Sequence, residues 1–164
     1  MIEMAMNTFG NSSVLGLNVC LDKYDCVCDF EEGLAAVCLN GKWGFIDKTG
    51  KEVIPLKYDF AYGFSGGLAQ VELNGKYGFI NPQGKEIIPL IFDEAEIIDS
   101  VIIVAINYQY GVINYNGEYI LPCIYDDIDI NDGVDINDGV IVARKSNTIY
   151  EFNQSGELVN IFCN

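Results

Sequence analysis

The sequence predicts an all-β fold built from tandem repeats, and three observations carry that expectation. A unit of about 34 residues recurs along the chain. Apolar and polar residues alternate with period two inside the copies, as half-buried strands require. Asn-Gly pairs and glycine-closed turns punctuate each copy at fixed places. Residues 33–66 and 67–100 share 19 of 34 positions, which marks duplication and not common composition. A third copy begins at Val101 and a shorter, diverged one at Val140. One period of 34 before the copy at 33–66, Phe9-Gly10 falls under Trp43-Gly44 and Tyr24-Asp25 under Tyr58-Asp59. The expected organisation is a single repeat domain over 1–164, with units at 1–32 (degenerate), 33–66, 67–100, 101–139 and 140–164 (partial).

Each unit is expected to hold three short antiparallel strands. The first spans 34–39, with counterparts at 68–73 and 101–106; Ala69, Val71 and Leu73 alternate with Gln70 and Glu72. Asn40-Gly41 and Asn74-Gly75 follow, a pair suited to the positive φ angles of a two-residue hairpin turn. The second strand carries an aromatic-Gly step: Trp43-Gly44, Tyr77-Gly78 and Tyr110-Gly111. A four-residue turn comes next, Asp47 to Gly50, Asn81 to Gly84, Asn114 to Gly117 and Asn153 to Gly156, with the residue order of a type I turn. The third strand is short and closed by Pro55, Pro89 or Pro122, which suits a sheet edge or a bulge. Glycine inside a strand weakens it unless another group must come close. The expectation is that a ring from the Tyr-Asp corner, Tyr58 for example, packs over that glycine. Its aspartate, Asp59, is expected to bond nearby turn amides.

Such units arrange either as an open superhelical β-array capped by its diverged ends, the favoured expectation, or as a closed propeller- or barrel-like ring.

Composition limits function. Half the chain is hydrophobic, too much for disorder, and 9 Lys+Arg against 24 Asp+Glu leave a net charge of −15. That charge repels phosphate backbones and anionic lipid, so no nucleic-acid and no membrane partner is expected. There is no histidine, which removes the usual general base and the commonest metal ligand. The six cysteines have no zinc spacing, and Cys26-Val27-Cys28 is a weak thiolate motif. Residues 1–10 hold no Lys or Arg, and no run reaches the roughly 18 apolar residues of a membrane helix. A cytoplasmic location with reduced thiols is expected. The serines lack a base, and Gly63 to Gly67 lacks the lysine of a phosphate loop. No enzyme activity, no cofactor and no metal is expected.

The run from Gly33 to Asp59, GLAAVCLNGKWGFIDKTGKEVIPLKYD, resembles the bacterial WG repeat, also called the KWG repeat, over nearly the whole unit. The resemblance is good over 33–126 and weak elsewhere; only Trp43 keeps the tryptophan, and Ile149-Tyr150 loses the glycine too. It implies an all-β repeat module and brings no catalytic residues.

One anomaly breaks the period. The hexapeptide DINDGV occupies 129–134 and again 135–140, and the surrounding segment carries Asp126, Asp127, Asp129, Asp132, Asp135 and Asp138. Alternate Asp and Asn can hold calcium, but the EF-hand glycine and final glutamate are out of place. The simpler reading is a solvated connector, and these aspartates are the candidate partner-binding residues. The function expected is a non-catalytic scaffold for a protein or peptide, with a basic partner favoured by the charge. A carbohydrate or cell-surface module is the alternative and a calcium-responsive module a distant third. The apolar run Val101 to Ile106 is either sandwiched in the fold or a self-association surface.

Overall fold

A computed structural model describes residues 23–131 and 139–163. Among the described residues every regular element is a β-strand. The chain divides into two compact units, residues 1–90 and 91–164, each taken here by itself.

The strands form four antiparallel sheets of four, each a simple meander. The first holds β1 (Cys26–Glu31), β2 (Leu34–Leu39), β3 (Lys42–Asp47) and β4 (Glu52–Tyr58). The second holds β5 (Phe60–Ala61), β6 (Ala69–Leu73), β7 (Lys76–Ile80) and β8 (Glu86–Phe92). The third is β9 (Glu94–Ile98), β10 (Val101–Ile106), β11 (Gln109–Ile113) and β12 (Tyr119–Tyr125). The fourth is β13 (Asp127–Asn131), β14 (Val140–Lys145), β15 (Thr148–Phe152) and β16 (Leu158–Cys163).

Each sheet thus has one strand more than the three read from the sequence. The addition is the segment just after the Tyr-Asp corner, and its return turn is made by Glu32-Gly33, with φ of 51° and 89°. The expected turns are present. Asn40 and Gly41 have φ of 53° and 73°, and Asn74 and Gly75 of 55° and 72°. In the four-residue turns the first carbonyl accepts from the glycine amide, as in Gly50 N to Asp47 O at 2.9 Å. The first side chain closes the same turn: Asn81 Oδ1 accepts from the amides of Gln83 and Lys85, and Asn114 and Asn153 repeat the pattern. Asp or Asn is needed there because only a short side-chain oxygen reaches both amides.

The third expected strand does not stop at the proline. β4 runs through Pro55 and β12 through Pro122, both as outer strands of their sheets. Trp43 pairs with Tyr58 and Phe45 with Ile54, so β4 carries extra residues at the proline; Tyr110–Tyr125 and Val112–Leu121 repeat this in the third sheet. The bulge explains the aromatic-Gly step. A Cβ on Gly44 would lie 2.5 Å from the Ile54 oxygen and 2.8 Å from the Leu56 nitrogen. Gly78 and Gly111 face the same backbone atoms at Pro89 and Pro122. The group that comes close is therefore backbone at the proline bulge, not the corner ring expected from the sequence. Tyr58 instead sits fully buried across from Trp43.

In the first unit Phe45, Ile54 and Tyr58 share a core cluster with Ala61, Val71 and Ile80 of the second sheet and with Phe64 between β5 and β6. In the second unit Val112, Leu121 and Tyr125 pack likewise with Ile128, Ile141 and Phe152 of the fourth sheet. β10 has both neighbours in its sheet, with Ile102, Val104 and Ala105 buried, which fits the sandwiched alternative for that apolar run.

Gly44→Ala is expected to destabilise the protein by about 1–3 kcal/mol through overpacking against fixed backbone, read as a lower urea midpoint at unchanged slope. An unchanged midpoint would remove the bulge as the reason for the glycine. The Tyr58 hydroxyl is buried and meets no hydrogen-bond partner among the described residues. Phe92 occupies the matching place in the next sheet. Tyr58→Phe should therefore be neutral or stabilising, by up to about 1 kcal/mol, since it removes an unsatisfied buried hydroxyl.

Candidate interaction surface

The corner aspartates do what the sequence suggests, in all four sheets. Each carboxylate accepts from the amide that opens the next hairpin turn: Asn40 N to Asp25 at 2.7 Å, Asn74 N to Asp59 at 2.6 Å, Asn107 N to Asp93 at 2.8 Å and Ser146 N to Asp126 at 2.6 Å. The acceptor is ionised, which makes these bonds stronger than neutral ones. All four donors have φ between 52° and 55°, so the aspartate holds a left-handed residue in place. Lys42 also pairs with Asp59, and that contact, with the Asn74 amide, holds the Asp59 carboxyl below the usual aspartate range.

The residue after each corner aspartate begins the added strand: Cys26, Phe60, Glu94 and Asp127. It sets what the repeated aromatic residue meets. Trp43 belongs to the core cluster against which Cys26 and Cys28 pack, and it lies 5.1 Å from the Phe60 ring. Tyr110 instead donates its hydroxyl to Glu94 at 3.1 Å. That bond, partial burial, and the charges of Glu94 and Asp127 push the tyrosine pKa up. Trp43 stands near thiols and a phenyl ring, whereas Tyr110 stands near carboxylates and its hydroxyl has an acceptor.

In the second unit this produces an acidic surface. Glu94 and Glu96 on β9 and Asp127 and Asp129 on β13 are exposed. Residues 91–164 hold 13 acidic side chains against only Arg144 and Lys145, and so account for −11 of the net −15. Glu94 and Glu96 were not singled out in the sequence, although the alternation Glu94-Ala95-Glu96-Ile97 carries the signal of a half-buried strand.

The WG containing repeat family matches the chain at residues 23–43, 43–77, 77–108 and 110–148. The chain belongs to the WG-repeat family. Comparison with curated proteins gives no match. Among solved structures the WG-repeat chain is similar to Kluyveromyces lactis Hsv2, with a TM-score of 0.48 and 11% identity over 86% of this chain and 52% of that one. A second structure, "Kluyveromyces lactis Hsv2 complete loop 6CD", gives 0.48 and 10% over 86% and 51%. The chain spans about half the length of those structures.

The fold assigns two of the candidate aspartates internal partners: Asp126 caps the turn at Ser146, and Asp127 pairs with Arg144. Asp129 stands opposite Val142 with an exposed side chain. Residues 127–131 are therefore a strand and not the expected connector. Asp132, Asp135 and Asp138 lie outside the described residues, as does the degenerate N-terminal repeat around Phe9-Gly10. Glu32, at the turn between β1 and β2, accepts from the Gly67 amide. Cys26 and Cys28 pack against the same cluster as Cys38. Burial raises the pKa of Cys28 and Cys38, so both favour the thiol form. Among the described residues no group of three His, Cys, Asp or Glu is placed to hold a metal, and no helix is long and apolar enough to cross a membrane.

The lowered Asp59 pKa fixes the sign of one pH effect. A carboxyl held below its unfolded value stabilises the fold above that value, and the contribution disappears as pH falls through the folded value. Asp59→Asn should therefore lower the thermal midpoint at neutral pH and flatten its decline below about pH 4. A decline of unchanged slope in Asp59→Asn would detach the corner aspartate from acid stability.

Proposed function

We propose that the chain is a non-catalytic scaffold that binds a basic protein or peptide through the acidic surface of its second unit. The observation that carries the reading is the placement of Glu94, Glu96, Asp127 and Asp129 as exposed residues on first strands, in a half of the chain with only two basic side chains. Charges on strands are held at fixed spacing, and complementary potential speeds encounter and selects partners by sign. Family membership supports a repeat scaffold, and repeats offer the same chemistry several times along one surface.

The glycan alternative has less support. Trp43 is buried, and Tyr110 has its hydroxyl engaged by Glu94, so the repeated aromatic position works inside the fold.

An octalysine peptide is a suitable probe. Its affinity for the full chain should fall roughly tenfold or more between low and physiological salt, as expected for exposed charges. The triple variant Glu96→Gln, Asp127→Asn, Asp129→Asn should weaken binding by about tenfold at low salt. A control removing three acids of the first unit, Asp29→Asn, Glu52→Gln and Glu86→Gln, should change it by less than about twofold. Equal losses in both variants would defeat the assignment to the second unit. Retention on insoluble glycan without capture of the peptide would turn the reading to carbohydrate.

A further inference from the structure

The third sheet keeps half of an ion pair that the first sheet has whole. In the first sheet Trp43 and Tyr58 stand opposite each other; Lys42 precedes the one, Asp59 follows the other, and the two charges pair. One Asp59 oxygen takes the lysine, and Oδ2 takes the Asn74 amide. In the third sheet Tyr110 and Tyr125 stand opposite each other in the same way, and the corner aspartate, Asp126, follows. The lysine is missing, and Gln109 stands in its place. Asp126 is exposed, and among the described residues its carboxylate accepts only from the Ser146 amide, at 2.6 Å and through Oδ2. The oxygen that takes an ammonium in one copy therefore holds no cation in the other.

The same turn departs from the repeat a second time. Where the first two sheets have Gly41 and Gly75, at φ of 73° and 72°, the third has Tyr108 at φ 62°. A left-handed backbone is strained for a bulky residue and costs glycine nothing. The ring gains no packing in return, since Tyr108 is 88% exposed. Strain with no internal contact to offset it points to a contact outside the chain, and an exposed tyrosine is a common anchor of such contacts. Tyr108 and Asp126 flank the same residue: one precedes Gln109 in the turn, and the other is the carboxylate that the missing lysine would meet.

We infer that the Tyr108-Gln109 turn and Asp126 form a receptor for one arginine side chain of a basic partner. The guanidinium takes the place against Asp126 that the Lys42 ammonium takes against Asp59, and its flat face lies on the Tyr108 ring. Both contacts suit arginine better than lysine. A planar fork serves a carboxylate with its edge while its face stacks on a ring, whereas an ammonium is a compact, strongly hydrated point charge. This receptor rests on the basic-partner reading and names the side chain that the partner presents. It lies at the turn between β10 and β11 and at the corner after β12, not on the first strands that carry Glu96, Asp127 and Asp129. The two can therefore fail separately.

Binding of octaarginine and octalysine to the full chain at one salt concentration tests the receptor. Octaarginine should bind the wild-type chain about two- to fivefold more tightly than octalysine, the size of an exposed cation–ring contact. Tyr108→Gly restores the residue of the first two sheets and should abolish that preference without lowering the thermal midpoint. Gln109→Lys puts the repeat's own cation back and should weaken octaarginine by about fivefold. Asn116→Lys makes the same charge change in an exposed turn at the other end of β11, and should weaken it by less than about twofold. The carboxyl resonance of Asp126 should move when octaarginine is added to the wild-type chain and stay still in Gln109→Lys. If neither peptide binds the wild-type chain, the basic-partner reading fails and the receptor with it. If both bind and the loss expected on removing Glu96, Asp127 and Asp129 is seen, three results overturn the receptor alone. These are no preference for octaarginine, a preference that survives Tyr108→Gly, and equal weakening by Gln109→Lys and Asn116→Lys.

Discussion

Backbone contact between a glycine and a proline bulge organises the repeat. Gly44, Gly78 and Gly111 each lie where a Cβ would come within 2.5–2.8 Å of main-chain atoms at Pro55, Pro89 and Pro122. The proline cannot donate to the ladder, so the outer strand swells away from regular pairing at that point. The swelling carries the backbone over its neighbour, and only a residue without Cβ lets it pass. Two motifs separated by about ten residues in sequence are thus one structural device, and neither makes sense alone. The bulge also realigns the strand beyond it: Tyr58 comes opposite Trp43 and Tyr125 opposite Tyr110, and both outer residues enter the cores shared between sheets.

Once the outer strand is set, the corner aspartate starts the next sheet. In each case its carboxylate reaches the amide of a left-handed turn residue, while its own amide donates to the strand leading into that turn, as in Asp59 N to Glu72 O at 2.8 Å. The aspartate therefore fixes the register of the added strand against its neighbour. The following residue is free to vary, and its identity decides the chemistry of the repeated aromatic. Phe60, first in the next sheet, gives Trp43 an apolar contact, and Glu94, first in its own sheet, gives Tyr110 a hydrogen-bond acceptor. The acidic surface of the second unit grows from a position that the fold leaves open.

Much of this was legible in the sequence. The Asn-Gly turns, the Asp/Asn-to-Gly turns and the bonding of the corner aspartate follow from local rules, because a turn's φ angles and side-chain reach are set within four residues. The added strand was not legible. Phe60-Ala61 is two residues long, and the run Asp127-Ile128-Asp129-Ile130 is masked by its own acidity, which reads as a loop. The role of the glycine was misassigned for a different reason. A ring and a backbone strand are equally good occupants of a bare glycine face, and sequence spacing cannot tell which arrives. Register does, and register depends on the number of extra residues at the proline.

The fourth sheet acts as an internal substitution experiment on the same device. Tyr150 replaces glycine and Ile161 replaces proline, and with both gone the pairing runs one to one from Ile149–Phe162 to Glu151–Asn160, while the shift between Glu151 and Phe152 remains. The fold survives, since β13–β16 still form a four-stranded meander with Ile141, Ala143 and Phe152 buried. What the device supplies is therefore not sheet formation but the shape of the outer edge. The proline-bearing edge turns its large residue, Tyr58 or Tyr125, into the core. Here, where the pair is lost, the outer strand leaves Leu158, Val159, Ile161 and Phe162 exposed, whereas β12 buries Leu121 and Tyr125.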